Sequence, residues 1–281
     1  MVLEQGYFRP ETLDEAVELL DNYGAEAKIL AGGTDLIVNL RDNMTSCKYL
    51  IDIKGISEMK KIKYWEDSGL AIGGAVCIND IIQSKVIEES YPILISAGKA
   101  LGNYLLRNRA TMMGNICNAS PAGDMLAPAL VLDGVIEAFS VEGFRYIPLR
   151  DFFLGVKKNE LMVNELAVRI LIPPVKGKGE YIRKSRIKGH DLAQIAVAGF
   201  IKDSGGLKLS LAAAAPVPVL IDEFNKITKE DLKDERLKGE IIDKVMSSIN
   251  PIGDQRASRE YRLAMAQYLT SEVLEALAKE V

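Results

Sequence analysis

The sequence predicts an α+β protein of two domains. Three observations predict it. Short apolar strand candidates bounded by glycine turns are interspersed with helical runs in the N-terminal part. A Pro173-Pro174 pair followed by Lys176-Gly177-Lys178-Gly179 interrupts the chain. Beyond it, strands are followed by two charged amphipathic helices, the pattern of an α+β layer. The boundary falls after residue 174, giving domains of residues 1–174 and 175–281. A chain of 281 residues fits two domains at about 150 residues each.

The elements follow in order. Thr12 and Glu15 have capping-box spacing, Leu13, Ala16, Val17 and Leu20 recur at helical intervals, and Gly24 supplies a stop. Residues 27–30 read as a strand running into Ala31-Gly32-Gly33-Thr34-Asp35, with a helical turn at 36–40. A second strand covers 49–53, and residues 62–65 and 69–72 flank Glu66-Asp67-Ser68 as a hairpin would. From 78 to 106 the pattern is mostly helical, broken at Tyr91-Pro92. Two loops follow, Thr111-Met112-Met113-Gly114-Asn115 and Ala119-Ser120-Pro121-Ala122-Gly123-Asp124. A buried turn at 127–132 precedes strands at 135–139, 145–149 and 166–172. In the second domain, strands at 195–201 and 207–212 precede helices at 229–247 and 256–277.

Composition narrows the function. Hydrophobic residues make up 48% and charged residues 26%, as in soluble globular proteins. A net charge of -4 disfavours a nucleic-acid binder held by phosphate contacts. No apolar run is long enough for a membrane span. Cys47, Cys77 and Cys117 form neither a CxxC site nor a disulfide framework, and the N-terminus lacks the basic start and apolar core of a secretory signal. A reducing, cytoplasmic location is the expectation. The single histidine, His190, rules out a two-histidine metal site, and no motif presents a Ser-His-Asp triad. It reads as a surface or hydrogen-bonding residue. Redox or group-transfer chemistry would therefore come from a bound cofactor.

Two glycine-bearing loops carry the functional signal. Glycine lets backbone N–H groups approach a ligand closely, and N–H groups at a turn or helix start attract phosphate. The Gly32-Gly33 pair by itself serves equally as a tight turn after a strand. It is neither a GxGxxG fingerprint nor a P-loop. Paired with the loop at 111–115, it could clasp a pyrophosphate from two sides. Asp124 would then accept from ribose hydroxyls, or alternatively cap the apolar stretch that begins at Met125.

The segments FRPETLDEAVELL, AGGTDL, IDI, IGGA, TMMGN, ASPAGD and DQRASREYRLAM, in this order, span nearly the whole chain. Together they resemble the FAD-binding (medium) subunits of the molybdenum hydroxylases, such as those of carbon monoxide, xanthine and nicotinate dehydrogenases. The resemblance implies a two-lobed FAD-binding domain of the vanillyl-alcohol-oxidase type followed by a smaller α+β C-terminal domain. It implies that Ile29, Leu30, Ala31, Gly32, Gly33, Thr34, Asp35 and Leu36 form one pyrophosphate loop. Thr111, Met112, Met113, Gly114 and Asn115 would form the other, with Asp124 at the ribose and Gly102 on the segment approaching the cofactor. Lys158 and Arg183 fall where the family often places basic residues near the flavin end, although the family tends to have lysine where this chain has Arg183, with Lys184 next. Met113 departs from the family's usual TxGGN, where a side chain needs an ordinary φ or strain.

The resemblance also implies a role and partners. FAD in this chain would pass electrons from the 2Fe–2S clusters of a small subunit to NAD(P)⁺ or another acceptor. A large molybdopterin subunit would oxidise the substrate, in a dimer of heterotrimers. No catalytic residue or metal ligand is assigned to this chain. Two other readings fit the same residues: a stand-alone flavin oxidoreductase, using His190 or Tyr181 over the flavin, and a nucleotide-binding assembly protein without turnover.

Overall fold

The computed structural model describes residues 6–187 and 191–279, so His190 lies outside the described residues. The first lobe is a small parallel sheet. Strand β1 (Gly6–Phe8) leads into helix α1 (Leu13–Tyr23), then β2 (Ala27–Leu30), helix α2 (Leu36–Arg41) and β3 (Tyr49–Asp52). The sheet order is β1-β3-β2, every pair parallel. Thr12 caps α1 by accepting from the Glu15 amide, and Gly24 closes it with φ +47°. Ala16, Val17 and Leu20 pack against Ile51 and Ile53, so the helical spacing in the sequence becomes one buried stripe.

The second lobe is built on an antiparallel sheet. Its strands are β4 (Ile62–Trp65), β5 (Gly69–Gly73), β6 (Val135–Ser140) and β7 (Gly143–Pro148). After a short hairpin of β8 (Phe153–Gly155) and β9 (Lys158–Asn159), β10 (Leu166–Ile172) inserts between β5 and β6. Helices α3 (Ile78–Gln83), α4 (Lys85–Ser90), α5 (Pro92–Ala100), α6 (Tyr104–Arg107), α7 (Met112–Cys117) and α8 (Leu126–Val131) lie between β5 and β6 in sequence. Their apolar residues share one core with Leu70, Ile72, Ile136 and Ile170 of the sheet. The expected buried turn at 127–132 is the helix α8, all six of whose residues are buried. A one-turn helix, α9 (Leu149–Phe152), follows β7.

Beyond Pro173-Pro174 the chain forms an antiparallel sheet of β11 (Gly177–Lys184), β12 (Ile195–Lys202), β13 (Leu207–Ala212) and β14 (Val219–Phe224). Helices α10 (Glu235–Ser248) and α11 (Arg259–Ala278) complete it. Strand β12 shows the period of two on a doubly covered sheet. Ala196, Ala198 and Phe200 join the core built on β5, β6, β10 and the helices α3 to α8, while Ile195, Val197 and Ile201 face Val273, Leu274 and Leu277 of α11.

Three expectations need correction here. The Lys176-Gly177-Lys178-Gly179 stretch reads as linker, but from Gly177 onward it is the start of β11, where a Cβ on Gly179 would come within 2.9 Å of Ile93. Its glycines allow close packing. The helix expected at 229–247 starts at Glu235, because Asp234 accepts from the Arg236 and Leu237 amides and caps it there. The helix expected at 256–277 starts at Arg259, where Ser258 accepts from the Tyr261 amide. Strands β1, β8, β9, β11 and β14 were not foreseen.

Candidate functional site

The first glycine loop leaves the end of β2 and opens α2. Gly33 has φ +76°, a conformation that disfavours any side chain. A Cβ on Gly32 would sit 2.0 Å from the Arg109 carbonyl oxygen, so the loop lies directly on the backbone that leads into the second loop. Asn118 adds a side-chain tie, donating to the Asp35 carboxylate at 3.0 Å. The two loops therefore converge. The amides of Gly32, Gly33 and Thr34 donate no hydrogen bond to another described residue. Ile29 and Leu30 are half-buried on β2, and Leu36 packs against the Leu40, Cys47 and Leu50 cluster.

Buried charge holds this loop from behind. Asp52 accepts from the Tyr7 hydroxyl at 2.5 Å and the Lys54 amide at 2.9 Å, and pairs with the Lys54 ammonium at 2.7 Å. The same ammonium donates to the Ala31 carbonyl at 3.0 Å. Burial pushes the Asp52 carboxyl up, but the hydrogen bonds from Lys54 and Tyr7 outweigh it and hold the group below its ordinary value. Sequence reading singled out Asp52 only as part of IDI and missed Lys54. A lysine two residues past a strand-end aspartate was the available signal.

The second loop is a helix start. Thr111 caps α7 by accepting from the Gly114 amide at 2.9 Å. Met112 and Met113 are buried in the core of the lobe. Met113 lies within α7 with no positive φ, so its departure from glycine brings no strain, and its side chain turns into the core. Asn115 accepts from the Met125 amide at 3.0 Å and closes the intervening segment into a loop. Burial pushes the nearby Cys117 thiol up to about 12.

The remaining expected residues divide. Gly102 has φ +49° at the turn between α5 and α6, on the segment that leads to Arg109. Lys158 and Lys184 are exposed, and neither side chain hydrogen-bonds or ion-pairs with the two loops among the described residues. Asp124 is not the cap of α8. Helix α8 begins with Met125 as its N-cap and takes no side-chain cap. The Asp124 carboxylate instead accepts from the Tyr181 hydroxyl at 2.8 Å and from Arg183 Nη1 at 2.9 and 3.0 Å. Aspartate and arginine side chains are 6% and 8% exposed, so a ribose hydroxyl would have to compete with a buried ion pair. Arg183, expected near the flavin, is the partner of Asp124.

A half-buried loop with unpaired amides, converging on a helix start, is an arrangement suited to anionic oxygens. Residues 3–175 match the family described as the FAD binding domain in molybdopterin dehydrogenase. The chain is 30% identical over 278 residues to the xanthine dehydrogenase FAD-binding subunit of Escherichia coli O157:H7, covering 95% of this chain and 94% of that one. It is also 30% identical over 280 residues to the glyceraldehyde dehydrogenase medium chain of Sulfolobus acidocaldarius, covering 98% and 99%. A structure of carbon monoxide dehydrogenase from Hydrogenophaga pseudoflava superposes with a TM-score of 0.89 at 27% identity, over 99% of this chain and 98% of that one. The chain thus belongs to the FAD-binding domains of molybdopterin dehydrogenases, the flavoprotein subunits of the molybdenum hydroxylase oxidoreductases.

Proposed function

We propose that residues 29–36 and 111–115 cradle the pyrophosphate of FAD, and that the chain relays electrons within a larger complex. A small subunit with 2Fe–2S clusters delivers the electrons, and NAD(P)⁺ or another acceptor removes them. A large molybdopterin subunit oxidises the substrate, and the assembly is a cytoplasmic dimer of heterotrimers. No described helix is long and apolar enough to cross a membrane.

The convergence of the two loops carries this reading. Gly32 against the Arg109 carbonyl brings the unpaired amides of residues 32–34 beside the start of α7. Those amides suit phosphate oxygens, and burying them without a ligand would cost free energy. Bound FAD supplies the exchange between two-electron and one-electron redox partners. The chain's own residues do the holding: Lys54 fixes the Ala31 carbonyl, Thr111 fixes the Gly114 amide, and Asn118 ties the loops together.

The test is flavin binding by the complex and by a loop variant. The isolated chain is expected to be yellow, and acid precipitation of the complex is expected to release FAD, read by its fluorescence, into solution. Gly33→Val places a β-branched side chain at a positive φ and is expected to lose FAD while the fold persists. A complex that releases no flavin and cannot be reconstituted with FAD overturns the reading, and unchanged FAD affinity in the variant removes this loop from the cradle.

A further inference from the structure

The walls of the proposed cofactor site are joined across the two domains by a buried polar cluster. Asp124 closes the segment that follows α7, one residue before Met125, whose amide is held by Asn115 of the second loop. Its partners, Tyr181 and Arg183, sit two residues apart on β11 and so point from one face of the C-terminal sheet. Nearby, the Pro121 carbonyl accepts from the Ala213 amide at 2.6 Å, a second tie from the same segment to that sheet. The path from loop to sheet is thus continuous: Asn115, Met125, Asp124, then Arg183 and Tyr181.

Burial makes this path exacting. A carboxylate at this depth is tolerated because a guanidinium and a phenol satisfy it, and removing one partner leaves the other buried without its match. Burial pushes the Asp124 carboxyl up, opposed by the Arg183 charge and the hydrogen bonds from Tyr181 and Arg183. Burial and the neighbouring carboxylate hold the Tyr181 hydroxyl well above its ordinary range, so it remains a donor. A group so engaged has little left to offer a ribose.

We propose that Asp124 is a positioning residue: through Arg183 and Tyr181 it locks the C-terminal sheet onto the second loop, so that FAD affinity depends on the docking of the two domains. This rests on the reading that FAD binds between the loops. A direct carboxylate–ribose bond and an interdomain lock differ in how substitutions combine. Under a lock, Asp124 and Arg183 act as one unit, and the second loss adds nothing.

The experiment is a double-mutant cycle on the deflavinated complex, titrated with FAD below the melting temperature. Asp124→Asn and Arg183→Met are each expected to weaken FAD binding on the order of tenfold, and the double variant no further. Arg183→Lys, which keeps a charged donor, is expected to recover part of the loss, which a packing role alone would not give. Tyr181→Phe is the milder substitution should the charge variants fail to fold. It is expected to weaken binding less and to be non-additive with Asp124→Asn. Additive losses, with Asp124→Asn just as costly beside Arg183→Met or Tyr181→Phe, overturn the lock in favour of a direct contact. Unchanged affinity in every single variant overturns it as well. A wild-type complex that binds no FAD overturns both this inference and the reading beneath it.

Discussion

The two loops reach a similar place by different physics. In the first, Gly32 lies where a Cβ would strike a carbonyl oxygen at 2.0 Å, and Gly33 has a φ of +76°. In the second, Thr111 starts an ordinary helix, and Met113 turns into the core at the position where the resemblance implies glycine. Glycine is demanded by space and backbone angle in one loop and by neither in the other at Met113. A motif position is therefore only as strict as its local geometry. The anchors differ too. Asp52, Lys54 and Tyr7 hold the first loop from beside its own sheet, whereas the segment after the second loop is held from the sheet of β11 to β14.

The sharpest way to break this comparison is to give the second loop the glycine it lacks. Met113→Gly removes a buried side chain and puts glycine within a helix, and is expected to cost about 3–5 kcal/mol of stability. FAD affinity of the folded protein should hold. Denaturant melts and FAD titration read the two quantities separately, and a large gain in affinity would mean that Met113 does obstruct the phosphate.

The converse substitution in the first loop is Gly32→Ala. A single methyl group must displace the Arg109 backbone, which costs about 1–3 kcal/mol, and FAD affinity should fall by at least about tenfold. Calorimetric titration with FAD checks it. Unchanged affinity would show that the contact between the loops does not shape the cradle.

A smaller effect distinguishes the anchors. Asp52→Asn should cost about 1–3 kcal/mol at neutral pH, because Lys54 then loses a buried charge partner. The folded carboxyl lies below its ordinary value, so its stabilisation is present above the unfolded pKa of about 4 and is lost as pH falls through the folded value. The gap between wild type and Asp52→Asn should thus narrow on acidification below about pH 4. Urea melts at a series of pH values measure it, and a gap that stays constant into that range would mean the charge of Asp52 is not what holds the loop.

By itself, the sequence determined what neighbouring residues decide. Thr12, Glu15 and Gly24 mark the ends of α1 because caps act within one helical turn. Residues 27–30 form β2 where the apolar run meets Gly32-Gly33, and β12 and β13 follow their alternating and apolar patterns. The glycine loops were legible because backbone freedom is written in the residue type. Only the tertiary structure decided which groups meet across long stretches of chain. Arg183 looks like a ligand contact in sequence, yet it satisfies Asp124, 59 residues away. Gly177 and Gly179 look like a linker, yet they make room for Ile93 and Phe200. Met113 looks like an obstruction, yet α7 turns it inward. In each case the local pattern allowed both outcomes. The choice was made by burial, which leaves a charge no stable place except beside its partner and a close-packed strand no space for a side chain.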